Sequence, residues 1–144
     1  MTRVDFYVLE GGSGVGHDRT AHDRMVCRVV EKAFRRGHSI FIHCNDDAQA
    51  STFDDLLWRF SDTSFVPHAI GETDVPVQLG CGISDSQHVD VLVNLSDTVP
   101  EAVSQFERVV ESAGFDDSSR TRARDRYRYY QERGYPLNTH KVRG

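Results

Sequence analysis

Apolar and polar segments alternate along the chain in a way that predicts strands and helices in turn. The β-branched and aromatic run Val4–Leu9 is typical of a strand, and comparable runs follow at Ser39–Cys44 and Val89–Leu95. A weaker extended segment lies near Val75–Leu79. Strands that alternate with helices favour an α/β domain with a mostly parallel sheet.

Four segments repeat apolar residues at helical spacing. We predict helices over Thr20–Arg36, Asp47–Arg59, Glu101–Ser112 and Ser118–Arg133. Gly37 is expected to end the first helix, and Gly134 with Pro136 the last. The chain has no internal repeat, low-complexity stretch or long linker, so we expect a single domain over residues 1–144.

The composition is that of an ordinary soluble globular protein, with 38% apolar and 27% charged residues. No apolar run approaches the ~20 residues that cross a bilayer, and the first residues do not resemble a signal peptide. We therefore expect a cytoplasmic protein. Its three cysteines (Cys27, Cys44 and Cys81) are predicted to be reduced, because their number is odd and their spacing wide.

Charge is distributed unevenly about the formal net value of −5. Eight basic and two acidic residues lie between Ser118 and Gly144, which gives this segment +6 and leaves −11 on the first 117 residues. Such a basic patch on an acidic body indicates a local partner of opposite charge. The chain has 15 Arg and two Lys, which favours planar, bidentate contacts to carboxylate or phosphate.

The glycine-rich loop Gly11–Gly16 imitates a phosphate-binding loop. Its end glycines have the G-x-x-x-x-G spacing, but His17 and Asp18 stand where Lys and Ser or Thr would hold phosphate and Mg²⁺. The dinucleotide pattern G-x-G-x-x-G is also absent. We predict a surface turn and no functional nucleotide site.

Metal and catalytic sites are equally unsupported. His43 and Cys44 are neighbours on a predicted strand, so their side chains point to opposite faces. The chain has no C-x-x-C pair, no H-x-x-x-H pair and no G-x-S-x-G motif. We predict no metal, no cofactor and no catalytic residue.

The helix predicted from Asp47 has a well-defined core face and one residue that departs from it. At 100° per residue, an arc of about 120° holds Ala50, Phe53, Leu56, Leu57 and Phe60. Trp58, the chain's single tryptophan, lies about 140° from the centre of that arc. Either the nearby loop Phe65–Pro67 folds over it, or Trp58 belongs to a protein-binding surface.

The last predicted helix has a narrow apolar face flanked by arginines. Ala123, Tyr127 and Tyr130 form that face. Beside it runs an arginine stripe of Arg120, Arg124 and Arg128, and the other flank carries Arg122, Arg126, Tyr129 and Arg133. Like charges at i, i+4 cost ~0.2–0.5 kcal/mol per pair, a cost that an anionic ligand would remove. The alternative is a solvated face that pairs with the acidic body.

Motifs along nearly the whole chain resemble the chi subunit of bacterial DNA polymerase III. In order, these are His43-Cys-Asn-Asp-Asp-Ala-Gln-Ala50, Phe53-Asp-Asp-Leu-Leu-Trp58, Ser64-Phe-Val-Pro-His68, Asp90-Val-Leu-Val-Asn-Leu95, and Arg126-Tyr-Arg-x-Tyr with Gly134-Tyr-Pro-Leu-Asn138. The resemblance implies a Rossmann-like domain, with helices on both faces of the sheet and no nucleotide chemistry. It also implies a non-catalytic adaptor in DNA replication.

The resemblance further implies two partners. The psi subunit, or an equivalent clamp-loader-side protein, would bind Trp58, Phe65 and Pro67. The acidic, phenylalanine-terminated C-terminal tail of single-stranded DNA-binding protein would bind six residues: Arg120, Arg124, Tyr127, Arg128, Leu137 and Thr139. Positions that are commonly lysine in the family are arginine here, which keeps the charge and changes the geometry.

The competing interpretation is direct binding of single-stranded nucleic acid through the arginine-rich helix. Arginines interleaved with Tyr127, Tyr129 and Tyr130 suit base stacking. The −11 body opposes this interpretation, because it would repel a long polyanion but not a short acidic peptide.

Overall fold

A computed structural model describes residues 2–10, 18–61, 65–72, 74–83, 89–114 and 116–143, with the backbone alone at 18–20. The strands are β1 (Arg3–Glu10), β2 (Ile40–His43), β3 (His68–Ile70), β4 (Val77–Gly80), β5 (Val91–Asn94), β6 (Arg108–Ala113) and β7 (Leu137–Arg143). The helices are α1 (Asp18–Arg35), α2 (Asp47–Arg59), α3 (Asp117–Glu132) and a short 3-10 helix (Glu101–Gln105).

The described strands form one sheet in the order β3-β4-β2-β5-β6-β1-β7. Every neighbouring pair is parallel. The strand β1 lies between β6 and β7, so the beginning and the end of the chain meet in the same half of the sheet. The arrangement is Rossmann-like, as predicted.

Helices cover both faces of the sheet, because successive strand residues point to opposite sides. On one face α1 and α2 pack on Ile40 and Ile42 of β2 and bury Leu57. On the other face Phe41 joins a second core that includes Tyr130 of α3. The prediction of a layer of helices on each side is confirmed.

The predicted helix over Glu101–Ser112 is wrong. Its first part is the 3-10 helix, and its second part is β6, which lies between β5 and β1. All residues from Val109 to Ala113 are buried. A strand covered on both faces lacks the polar alternation that identifies a half-exposed strand. The helix was predicted from apolar residues that happen to have helical spacing: Val103, Phe106, Val109 and Val110.

The helix ends follow the expected capping chemistry. Asp46 caps α2 by accepting a hydrogen bond from the Gln49 amide at 2.8 Å, and Asp116 caps α3 in the same way. Gly37 ends α1 with a positive φ of 87°, as predicted. None of the helices in the described ranges is long and apolar enough to cross a membrane.

Candidate functional site

The orientation of α3 decides which of its arginines reach solvent. The buried residues of the helix are Ala123, Arg126 and Tyr130, whereas Tyr127 is half-buried. The buried face is therefore rotated by about 30° from the predicted apolar face. The assignment of Arg126 to a second exposed basic flank is wrong.

Arg126 is buried because an ion pair fixes it to the sheet. Its Nε donates to the carboxylate of Glu111 at 2.8 Å, and Glu111 is fully buried on β6. The same carboxylate accepts hydrogen bonds from Tyr130 at 2.7 Å and Asn94 at 2.9 Å. Burial raises the pKa of Glu111, while the nearby guanidinium opposes that shift. This network attaches α3 to β6 and removes one cation from the surface.

A small apolar pocket, which we call the α3 pocket, lies between α3 and the sheet strands β1, β6 and β7. Its volume is about 190 Å³. It is lined by Phe6, Val8, Ala113, Arg120, Ala123, Arg124, Tyr127 and Thr139. The pocket thus combines aromatic and aliphatic walls with two guanidinium groups and a hydroxyl.

Four of the six residues predicted for the tail line the α3 pocket: Arg120, Arg124, Tyr127 and Thr139. Leu137 is not part of that lining; it is half-buried on β7, beside Val4 of β1. Arg128 is exposed one helical turn beyond Arg124 and also lies outside the lining.

The arginine stripe is less uniform than the sequence suggests. Arg120 donates to the carbonyl oxygens of Gly114 at 3.1 Å and Leu9 at 2.7 Å, so its guanidinium is fixed at the wall of the pocket. Arg124 and Arg128 are exposed. One fixed cation and two exposed cations therefore lie along the helix.

The predicted psi surface consists of two exposed aromatic residues and a neighbouring proline, which together we call the Trp58 patch: Trp58, Phe65 and Pro67. Trp58 is 48% exposed and Phe65 is 67% exposed. Their ring centroids are 5.5 Å apart, so the loop contacts Trp58 without covering it. Pro67 is half-buried beside them. The interpretation of a loop folded over the tryptophan does not fit this exposure.

A buried histidine, His68, supports the Trp58 patch, and no role was predicted for it from the sequence. Its ring centroid is 4.2 Å from that of Trp58. Nδ1 lies 2.6 Å from the Val66 carbonyl oxygen, and Nε2 lies 3.0 Å from the Asp54 carbonyl oxygen. His68 thus ties the loop to α2. The available sequence signal was the place of His68 in the motif Ser64–His68, whereas its contacts with Trp58 and α2 become visible only in the fold.

The α3 pocket and the Trp58 patch lie far apart. The α2 helix packs on one face of the sheet and α3 on the other. The patch is next to the edge strand β3, whereas the pocket reaches the opposite edge strand β7. Six inter-strand steps separate these edges, which is roughly 29 Å. The two surfaces therefore do not overlap.

A second cavity, of about 450 Å³, lies at the carboxyl ends of β5 and β6, where nucleotides bind in many α/β folds. Asp23, Asp97 and Asp116 line it together with Arg122 and Arg126, and Arg126 is already paired with Glu111. Three carboxylates disfavour phosphate.

The loop Gly11–Gly16 lies outside the described residues, so the absence of phosphate binding there stays a prediction. Within the part of the chain that is described, no three His, Cys, Asp or Glu side chains are grouped as metal ligands.

Comparison with known proteins agrees with the resemblance. The model of the family described as "DNA polymerase III chi subunit, HolC" matches residues 1–138. DNA polymerase III subunit chi of Pseudomonas aeruginosa is 42% identical, covering 99% of this chain and 98% of the relative. The subunit chi of Escherichia coli K12 is 31% identical, covering 96% and 97%.

Among solved structures, a chain from the crystal structure of T4 UvsW matches with a TM-score of 0.60 at 11% identity, over 99% of this chain and 42% of its own length. That likeness concerns the fold alone. Since the family model and both relatives span almost the whole sequence, the chain belongs to the DNA polymerase III chi subunit family.

Proposed function

We propose that the protein is a non-catalytic adaptor in DNA replication. It would link the clamp loader of DNA polymerase III, through psi or an equivalent protein, to single-stranded DNA-binding protein by gripping that protein's acidic C-terminal tail. The observation that carries this proposal is the α3 pocket, an apolar cavity with two guanidinium groups in its wall.

The chemistry of the pocket fits a tail that ends in phenylalanine. Phe6, Val8 and Tyr127 offer apolar surface for the terminal ring. Arg120 and Arg124 offer charge-assisted hydrogen bonds to the terminal carboxylate and to the acidic side chains before it. The contact is small, so micromolar affinity, about −8 kcal/mol, is the expected scale.

The Trp58 patch is proposed as the clamp-loader-side surface. Exposed aromatic residues beside proline are typical of hot spots in protein interfaces. The ring of His68 under Trp58 and its hydrogen bond to the loop hold the patch in one arrangement before a partner arrives. The separation of roughly 29 Å between the sheet edges supports simultaneous binding of both partners.

The main alternative is direct binding of single-stranded nucleic acid by α3. Its support weakens because two of the required side chains are unavailable. Tyr130 is fully buried and Arg126 is paired with Glu111. Tyr129 also has one ring face covered by the Arg133 guanidinium at 3.6 Å. Few side chains remain for a stacking platform.

Two titrations, compared side by side, test the proposal. A labelled tail peptide and a labelled random single-stranded oligonucleotide are each titrated with the protein and followed by fluorescence anisotropy. We expect micromolar peptide binding that weakens as salt rises and persists through the apolar contact of the phenylalanine. Deleting that phenylalanine should remove most of the affinity. Tighter binding of the oligonucleotide than of the peptide would instead make α3 a nucleic-acid site.

A further inference from the structure

The outer edge of β7 is an open strand next to the α3 pocket. β7 has seven residues and ends the described sheet, whereas the opposite edge strand, β3, has three. Proteins usually keep edge strands short or cover them, because unpaired backbone groups attract another strand. A long, accessible edge beside a peptide pocket therefore points to a role in binding.

The pairing with β1 shows which backbone groups of β7 face outward. The Val4 amide donates to the Pro136 carbonyl oxygen at 2.9 Å. In a parallel ladder the direction alternates residue by residue, so 138, 140 and 142 face β1. The N–H and C=O groups of Leu137, Thr139, Lys141 and Arg143 then face away from the sheet, and no hydrogen bond from another described residue is found on them.

The same four residues place their side chains on the α3 side of the sheet. Thr139 lines the α3 pocket, and Lys141 and Arg143 follow it along the strand. The Lys141 ammonium lies 3.8 Å from the carboxylate of Glu10 on β1, but both cations remain exposed to solvent. The sequence of β7 contains no carboxylate. On the other side of the strand His140 stacks on Tyr7 at 4.6 Å, so β7 is held firmly against β1.

These features select an acidic partner strand. A second copy of β7 would bring Lys141 and Arg143 close to their own equivalents, whereas a strand rich in carboxylates would complement them. We infer that the acidic segment of the tail binds along β7 as an eighth strand, antiparallel to it, with the terminal phenylalanine in the α3 pocket. The inference rests on the proposed function, because the tail is the ligand proposed for that pocket.

The direction of the added strand follows from the order of the sites. Thr139 borders the pocket that would hold the peptide's last residue, and the cations Lys141 and Arg143 lie further toward the end of β7. Acidic residues that precede the phenylalanine reach those cations only if the peptide runs opposite to β7. Backbone pairing of this kind supplies affinity, while the pocket supplies specificity.

Methylation of single backbone nitrogens in the tail peptide tests the inference. In an antiparallel pair, alternate peptide residues direct their N–H groups to β7. We expect methylation at those positions to weaken binding about tenfold, since one hydrogen bond contributes ~1.5 kcal/mol. Methylation at the intervening positions should leave the affinity unchanged. Equal tolerance at every position would overturn the strand inference while leaving the proposed function standing.

Variants at Lys141 provide a second readout. Lys141→Ala removes the charge and keeps the outward N–H, whereas Lys141→Pro removes both and is tolerated at an outward edge position. We expect the proline variant to bind the unmodified peptide several-fold more weakly than the alanine variant. Identical affinities, in variants with wild-type melting temperatures, would contradict the pairing. If the unmodified peptide fails to bind wild-type protein at all, the proposed function itself fails.

Discussion

Helices α2 and α3 lie on opposite faces of the sheet, and each departs from the simple rule of apolar inside and charged outside. The α2 helix exposes an aromatic residue, Trp58, and α3 buries a charged one, Arg126. The first departure is visible in the sequence, because α2 has a wide apolar arc that fixes which side faces the core. The second is hidden, because the partner that makes burial favourable, Glu111, belongs to a different element.

The surface cations of α3 give the first and largest test of this comparison. Arg124→Glu together with Arg128→Glu should abolish binding of the tail peptide. Each charge-assisted contact contributes ~1.5–3 kcal/mol to binding. Losing two of them and placing carboxylates against the acidic peptide is therefore enough to remove a micromolar affinity. The measurement is peptide titration by anisotropy.

Two other arginines of the same helix provide the matched control. Arg122→Glu with Arg133→Glu makes the same change in net charge but away from the α3 pocket. This variant should keep most of the peptide affinity. Equal loss in both double variants would mean that net charge, and not the pocket, drives binding.

The buried cation of α3 should instead control stability. Arg126→Met leaves the Glu111 carboxylate buried without its cation, which costs ~3–5 kcal/mol of unfolding free energy. The matched change Arg122→Met removes an exposed arginine whose nearest described carboxylate, on Asp97, is 3.7 Å away, and should cost less than ~1 kcal/mol. Urea denaturation measures both. Similar costs for the two variants would show that Arg126 does not hold α3 on the sheet.

Two neighbouring residues of α2, Leu57 and Trp58, test which side of the helix belongs to the core and which to the interface. Leu57→Ala should lose ~2–5 kcal/mol of unfolding free energy, because Leu57 is buried. Trp58→Ala should keep the melting temperature near wild type and weaken the clamp-loader-side partner by more than ~2 kcal/mol. A large loss of thermal stability in the Trp58 variant would show that this residue belongs to the core, and would contradict its assignment to an interface.

The smallest predicted effect is a dependence of stability on pH through Asp5. Burial raises the pKa of Asp5, but hydrogen bonds from Arg108 and His140 outweigh burial and lower it overall. The unfolded state then binds more protons below the ordinary pKa of 3.8. Stability from Asp5 is therefore present above that value and lost as pH falls through the lowered pKa. In the Asp5→Asn variant the unfolding free energy should fall less steeply with decreasing pH than in wild type. An equal dependence on pH in the two proteins would contradict the lowered pKa of Asp5.

The sequence predicted those parts of the fold where local pattern and environment agree. Three strands, the helices α1, α2 and α3, and the direction of Trp58 away from the core face of α2 could be predicted from periodicity, whereas the exposure of Trp58 could not, because it depends on where the nearby loop folds. The strand β6 could not, because both of its faces are buried and its sequence therefore lacks the polar alternation of a half-exposed strand. The strand β7 was missed as well, since an exposed edge strand with mixed polar residues has no strong pattern.

The candidate sites were predictable as residues but not as geometry. The family resemblance implied four residues that line the α3 pocket, which helix α3 and the edge strand β7 bring together: Arg120, Arg124, Tyr127 and Thr139. Arg120 also bonds to two backbone carbonyls, which no spacing rule reveals. Contacts between distant segments, such as His68 with Asp54, are set by tertiary packing and lie beyond local sequence rules.

Affinity capture with three forms of the protein tests the adaptor role most directly. Tagged wild type, Trp58→Ala and the Arg124→Glu, Arg128→Glu double variant are used to capture partners from the native lysate, which are identified by mass spectrometry. We predict that wild type retains both clamp-loader subunits and single-stranded DNA-binding protein. The Trp58 variant should lose only the clamp-loader subunits, and the double variant only single-stranded DNA-binding protein. Loss of both partners in either variant, or of neither in both, would contradict an adaptor with two independent surfaces.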